Sequence, residues 1–403
     1  MINLTQFIKE NLPFPLTLFP DNCYLVGGAV RDVLLNRKKS DLDLDFVIPH
    51  SAIKVSKKIA NNYHAGFVIL DREREIARVV FPHSTIDLAN QEGENINQDL
   101  GRRDYTINAI AFDCHREEIL DPFCGQQDIQ NRIIRMINRK NLEDDPLRLL
   151  RGYRQSCQLN FTIEANTHDT IKQLTSLLSK VAVERVNSEL NYLFSHQHGS
   201  YWLQEAFKDG LLSFRHPCLT TEKIQYLEKI DRSAQWFREK WRKFESITPS
   251  YYQNAKLACF CDNIPEKAEM ELINLKYSRQ DIKTVTTILK YTPQLLDKSF
   301  STDIVKQYFF FTAVGNIFPI LAIFAHAHYI DSNFIIQMVD RYLDDDDMVA
   351  HSKPLLTGKE IMETLQIPPS HLIGELLTNV QIAYIQQKIK DKNEALDWLK
   401  KRY

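Results

Sequence analysis

The spacing of apolar residues changes once along this chain, near residue 128. Before that point the apolar runs are short and rich in β-branched and aromatic residues: 24–26, 46–48, 67–70, 76–81, 85–88, 107–112 and 118–120. Such runs, bounded by Gly, Pro, Asp and Asn, predict strands. Helical spacing interrupts them over 29–36, where Val30, Val33 and Leu34 share a face, and over 51–62. Residues 1–22 read as a short amphipathic helix and a Pro-rich lead-in. Beyond 128, segments rich in Leu, Ile, Lys, Gln and Glu repeat at 3.6 residues to Tyr403, with breaks expected near 216–218, 246–251, 264 and 351–354. No longer period marks a repeat array. The expected fold is an α/β head over 1–127 followed by an all-α region, divided into 128–215, 216–350 and 351–403.

Composition narrows the class. A chain of 403 residues is too long for one core, and 44% hydrophobic with 25% charged residues is globular. The net charge of −2 provides no global basic field, so a nucleic-acid surface must be built from local patches. Seven cysteines, Cys23, Cys114, Cys124, Cys157, Cys218, Cys259 and Cys261, are scattered without Cys-x-x-Cys spacing, which argues against disulfides and structural zinc. The most apolar stretch, 308–326, is interrupted by Thr312, Gly315, Asn316 and Pro319, and the N-terminus has no basic-then-apolar leader. A cytoplasmic protein that does not engage a membrane is expected. Oligomeric state has no signature in the chain.

Candidate chemistry concentrates in two stretches. In the first, Gly27-Gly28 break a buried strand at the start of a helix, where a missing Cβ lets backbone approach a phosphate and free N–H groups favour an anion. Arg31 adds a cation. Asp43-Leu44-Asp45 then leads into Phe46-Val47-Ile48, and residues two apart on a strand face the same way. Asp43 and Asp45 would repel each other unless a cation sat between them, and oxygen ligands of this kind suit Mg²⁺ with a substrate's phosphates. Asp41 makes a rival pair with Asp43, but only Asp43/Asp45 runs on into the apolar strand. Asp87, in another strand pattern, is a candidate third acid for a base or metal ligand.

Gly27-Gly28-Ala29-Val30-Arg31-Asp32 followed by Asp43-Leu44-Asp45 resembles the head of the class II tRNA nucleotidyltransferase and bacterial poly(A) polymerase family, within the DNA polymerase beta-like superfamily. The resemblance implies that Asp43 and Asp45 hold two Mg²⁺ ions, activating an RNA 3′-hydroxyl and stabilising departing pyrophosphate, while Gly28 and Arg31 hold the triphosphate. In the family a carboxylate on a following strand assists, and Asp87 is the position resembling it.

Arg102-Arg103-Asp104-Tyr105-Thr106-Ile107-Asn108-Ala109 resembles the family's second motif. A guanidinium matches phosphate oxygens and a carboxylate a hydroxyl donor, so Arg103 is assigned to the triphosphate and Asp104 to a ribose hydroxyl. Asp121-Pro122-Phe123, with Gly125 and Asp128, reads as a turn supporting the sheet.

The second stretch is Asp144-Asp145-Pro146-Leu147-Arg148-Leu149-Leu150-Arg151-Gly152-Tyr153-Arg154. Pro146 suits a helix's first turn, with Asp144 or Asp145 as its cap. Asp145, Arg148, Arg151 and Arg154 recur at three-residue steps along one side, with Leu147, Leu150 and Tyr153 elsewhere. This resembles the family's Glu-Asp-x-x-Arg motif, whose side chains hydrogen-bond the Watson–Crick edge of the incoming base. Asp144 departs from it, standing where Glu is usual, with Glu143 one place earlier. A carboxylate accepts from an exocyclic amino group and a guanidinium donates to ring nitrogen or carbonyl, so CTP and ATP could be chosen without a template.

Other features read more simply. The basic and aromatic 236–244 is either an RNA-facing helix or, more in keeping with helical spacing, core packing with a solvated face. His326 and His328 with Asp331 resemble a metal site less than core histidines, and Asp344–Asp347 an acidic loop. Residues 355–377 resemble the family's end module, with a helix begun at Thr357-Gly358.

The expected function is template-independent addition of nucleotides to a tRNA 3′ end, from CTP and ATP with Mg²⁺. A bacterial poly(A) polymerase and a non-catalytic RNA-binding protein are the alternatives. Between Asp87 and Arg102 lies a short segment, 88–101, where the family's CCA-adding members usually have a longer flexible loop that helps reshape the pocket from CTP to ATP. Its shortness resembles the CC-adding members, so the expectation is two C residues and a stop.

Overall fold

The computed structural model describes residues 4–37, 42–328 and 330–403. Two compact units divide it: residues 1–189 with 208–214, and residues 190–207 with 215–403.

The first unit is built on a seven-stranded mixed sheet. Its strands are β1 (Tyr24–Val26), β2 (Leu42–Ile48), β3 (Gly66–Asp71), β4 (Ile76–Val80), β5 (Ser84–Asn90), β6 (Ala111–Asp113) and β7 (Glu118–Leu120), in the order β3-β4-β5-β2-β1-β6-β7. β2 and β5 pair in parallel, placing Asp43 opposite Thr85 and Asp45 opposite Asp87; the other pairings are antiparallel. Along β2 the pleat buries Leu44, Phe46 and Ile48 on one face and turns Asp43, Asp45 and Val47 to the other. That second face becomes apolar at Val47, packed with Tyr24, Val26, Ile96 and Leu100. The aspartates therefore stand at the open end of a covered face.

Around the sheet lie helices α1 (Leu4–Asn11), α2 (Gly28–Leu34), α3 (Ala52–Tyr63), α4 (Ile96–Gly101) and α5 (Gly125–Asn131). Then follow α6 (Arg139–Asp144), α7 (Leu147–Leu159), α8 (Ala165–Leu174) and α9 (Val183–Phe194). The expected strand over 107–112 is shortened. Thr106–Asn108 forms a single 3-10 turn, because the Thr106 hydroxyl donates to Asp128 (2.7 Å) and its N–H to the Arg135 carbonyl (2.9 Å), away from the sheet. Two strands escape the sequence reading, β8 (Ile133–Ile134) and β9 (Thr162–Ile163), a parallel pair too short to carry a period.

The helix carrying the basic series also begins differently from expectation. α6 ends at Asp144 and Asp145 closes it, so Pro146 precedes α7 as its cap position and no carboxylate caps α7. The series itself falls as its spacing implies, with Leu147, Leu150 and Tyr153 buried behind it. Gly152 lets α7 dock on the head: a Cβ there would lie 2.5 Å from the Tyr105 hydroxyl, which donates to the Arg148 carbonyl at 2.6 Å.

The second unit is helical. The apolar run splits into Ile304–Val314 and Phe318–Ala327, with Phe310, Phe318, Leu321 and Ile323 buried in the unit's interior. His326 stacks on Trp236 (4.2 Å between centroids) and His328 on Tyr226 (3.9 Å), so both histidines belong to packing. Asp347 caps the N–H groups of Val349 and Ala350. Thr357 and Glu360 form a capping box at Gly358–Leu365, and Leu356, Ile361, Leu376, Val380 and Leu399 make a core of the tail's own.

Candidate active site

Gly27 ends β1 with φ +72°, a conformation costly for a residue with a Cβ, and caps α2. A Cβ at Gly27 would lie 3.1 Å from Arg103 Nη1 and 3.7 Å from Asp45 Oδ2. The glycine thus lets the turn pass directly beneath a guanidinium and a carboxylate. Arg31, buried on α2, is held by two acceptors: its Nε and Nη2 donate to Asp32 (3.0 and 2.8 Å), and its Nη1 to Asn108 Oδ1 (2.7 Å).

On β2, Asp43 is exposed and accepts from the Thr85 hydroxyl, its register partner. Asp45 is half-buried, and its pKa is pushed up to about 6. Burial is the main cause and the Asp87 and Asp43 carboxylates add to it, against the pull of Arg103. Asp87 stands beside Asp45 on the neighbouring strand, both of its oxygens forked by Arg78 of β4 (2.7 and 2.8 Å). Asp41, the rival partner of Asp43, lies outside the described residues.

The opposite wall is a polar network. Asp104, 5% exposed, accepts from the Tyr105 N–H (2.8 Å), Asn108 (2.9 Å), Arg151 (2.8 and 2.9 Å) and Gln155 (3.1 Å). Burial alone would raise its pKa, but Arg151 and these donors hold it well below the usual carboxylate range. Five donated hydrogen bonds on two oxygens leave a ribose hydroxyl to share or replace one of them. Arg148 Nη1 donates to the carbonyls of Arg102 (2.7 Å) and Asn141 (2.9 Å), which sets its guanidinium at the cleft. Asp145 is forked by Arg185 of α9 (3.2 and 2.9 Å), and Arg154 is paired with Glu189.

These residues line one cleft of about 510 Å³: Gly28, Arg31, Asp43, Asp45, Arg103, Asp104, Asp145, Arg148, Arg151 and Arg154 all face it. Asp87, beside Asp45 in register, is not among the described residues that line it. Sequence reasoning passed over Gln155, Gln158 and Arg185, which also line it. Gln155 and Gln158 lie four residues beyond Arg151 and Arg154 on the same side of α7 and were within reach; Arg185 is brought in by α9, with no local signal. Six arginines against four aspartates make the wall net positive, the balance a polyphosphate requires.

Elsewhere, among the described residues, Cys218, Asp262 and Glu271 of the second unit bring three metal-capable atoms within 4.8 Å. Cys218 donates to Glu271 at 3.2 Å, and that bond pushes its thiol pKa up, so these side chains satisfy one another.

A strand-glycine-helix turn, strand aspartates beside it and an arginine-lined cleft on a mixed sheet define a nucleotidyltransferase. Comparison with known proteins agrees. Residues 23–135 match the poly A polymerase head domain, 160–222 the probable RNA and SrmB-binding site of polymerase A, and 251–399 a putative tRNA nucleotidyltransferase domain 2. The chain is 42% identical over 399 residues to the CC-adding tRNA nucleotidyltransferase of Synechocystis sp., covering 96% of this chain and 95% of that protein. It is 25% identical to the CCA-adding enzyme of Bacillus cytotoxicus, covering 93% and 92%. A CCA-adding enzyme solved in an apo form shares the fold, with a TM-score of 0.74 at 22% identity over 94% of this chain and 90% of that one. The protein belongs to the CC-adding and CCA-adding tRNA nucleotidyltransferase family.

Proposed function

We propose that this enzyme adds two cytidines to the 3′ end of tRNA and stops, leaving the terminal A to another enzyme. The observation that supports it is the link from β5 to Arg102, which is short and tied down. Gln91 N–H donates to the Ile48 carbonyl (2.8 Å), Glu92 N–H to Asp99 (3.1 Å) and Glu94 N–H to Gln98 (2.8 Å), and Asn95 caps α4. A segment held this way is a poor lever for exchanging a cytosine-shaped pocket for an adenine-shaped one. The CC-adding activity named for the Synechocystis relative supports the same reading.

Within the cleft, Gly28, Arg31 and Arg103 receive the triphosphate, Asp104 faces the ribose with Arg151, and Asp145 and Arg148 read the base, with Arg154 beside them on the cleft wall. Asp43 and Asp45 would hold Mg²⁺, supported by the chemistry of the donors: hard carboxylate oxygens from one strand face. Bound there, the metal would activate the RNA 3′-hydroxyl and neutralise charge on leaving pyrophosphate. Asp87, beside Asp45 on the next strand, would be the third acid, as a base or further metal ligand, once freed from Arg78. The cleft's head and neck would occupy 1–127 and 128–215, with a body over 216–350 and a tRNA-contacting tail over 351–403. Seven free cysteines suit a reducing cytoplasm.

Purified protein given a tRNA transcript ending before CCA, with CTP and ATP together, tests this by sequencing of the 3′ ends. Products ending in CC are expected. Full CCA ends would overturn the CC-only reading and keep the family activity, and long A tails would favour a poly(A) polymerase.

A further inference from the structure

In the wall of the nucleotide cleft, two buried amides join its two halves. Asn108 Oδ1 accepts from Arg31 (2.7 Å), and its Nδ2 donates both to Asp104 (2.9 Å) and to Gln155 Oε1 (2.8 Å). Gln155 Nε2 in turn donates to Asp104 Oδ2 (3.1 Å), the oxygen that Arg151 also grips. Asn108 is 7% exposed and Gln155 1%, so neither amide has water as a ready substitute. The two amides use one acceptor and one donor on each other and aim their remaining groups at charged side chains, which fixes their orientation. Arg31 stands on the helix that follows the glycine turn, and Gln155 on the helix of base-reading residues.

We infer that Asn108 and Gln155 are positioning residues that hold the phosphate end and the sugar and base end of the cleft in register, with Asp104 fixed between them. This rests on the reading of the cleft as the nucleotide site. A buried donor or acceptor that loses its partner retains its desolvation cost, so the remaining groups rearrange when either amide is removed. Asp104 and Arg151 then lose the setting in which they meet a ribose. The chemistry at Asp43 and Asp45, on β2, is not in the relay.

The test is single-nucleotide addition to tRNA by Gln155→Leu, Asn108→Ala and the double variant, with CTP and dCTP measured side by side. Each single variant is expected to raise KM for CTP about 10-fold while kcat changes by less than about 3-fold, the size of one lost buried hydrogen bond. KM for tRNA should stay at the wild-type value. The preference for CTP over dCTP should fall by a similar factor, and as a ratio within one preparation it is not altered by partial misfolding. Because both amides serve one relay, the double variant should lose no more than the worse single one. Unchanged KM and preference in both singles, a loss confined to kcat, or losses that multiply in the double variant would each overturn the relay. Asp45→Ala is the control: if it retains turnover, the cleft assignment itself fails, whereas its inactivity beside normal amide variants removes the relay alone.

Discussion

The two walls of the cleft treat their carboxylates in opposite ways. On the sheet side, Asp43 is exposed and Asp45 half-buried; burial, with the neighbouring acids, pushes Asp45 up to about 6 against the pull of Arg103. On the helix side, Asp104 is deeper yet held well below the usual carboxylate range, because Arg151, Asn108, Gln155 and a backbone N–H already surround it. The first wall is short of positive charge and the second is complete. A wall lacking a counter-ion is suited to one that arrives with substrate, and a saturated wall is suited to recognition, where side chains must be in place before the ligand.

The largest expected effect breaks the sheet side. Asp43→Ala or Asp45→Ala should lower cytidine incorporation by about 10³-fold or more, since metal ions supply several kcal/mol at the transition state. Binding of tRNA, followed by filter retention, should be nearly unchanged. Turnover within about tenfold of wild type in both variants would remove the metal assignment.

On the complete wall the main loss is stability. Asp104→Asn removes the nearer of Arg151's two carboxylates and leaves Glu189 at 4.0 Å, so the cost is expected to fall below the roughly 3 to 5 kcal/mol of a fully buried pair, at about 2 kcal/mol. Thermal unfolding would show it, together with a pH signature. A carboxylate whose folded pKa is depressed contributes stability above its unfolded value, near ~4, and loses it as pH falls toward the folded one. Wild-type protein should therefore lose more stability than Asp104→Asn between about pH 5 and pH 3. Parallel curves would show that Asp104 is not the saturated group described.

Base choice should respond next. Asp145→Ala or Arg148→Ala removes a charged hydrogen bond worth roughly 1.5 to 3 kcal/mol, so preference for CTP over UTP and GTP should drop by about 10- to 100-fold in competition assays. Preserved discrimination in both would move base reading off α7. The smallest change sharpens the comparison at its rim: Arg185→Ala frees Asp145 from an open ion pair worth at most about 1 kcal/mol, and should shift CTP preference by only about 2- to 5-fold. A loss as large as that of Asp145→Ala would make Arg185 a base contact in its own right.

Much of this site was legible along the chain because its parts follow local periods. Asp43 and Asp45 share a strand face by their spacing of two, and Arg148, Arg151 and Arg154 share a helix side by their spacing of three, whatever the rest of the chain does, whereas Asp145 joins them from the extended link between α6 and α7. The glycine turn at Gly27 was visible for the same reason, since its requirement is for one residue's φ. Pairing between distant elements decided the remainder. Nothing local shows that Asp87 is occupied by Arg78, that Arg185 reaches Asp145, or that Gln155 and Asn108, 47 positions apart, form one hydrogen-bonded unit. Such contacts depend on strand register and on where α7 and α9 come to rest, and these are set by burial summed over many residues. The sequence by itself determined which side chains share a face; only the tertiary structure decided which of them were already partnered and which were left open to a ligand.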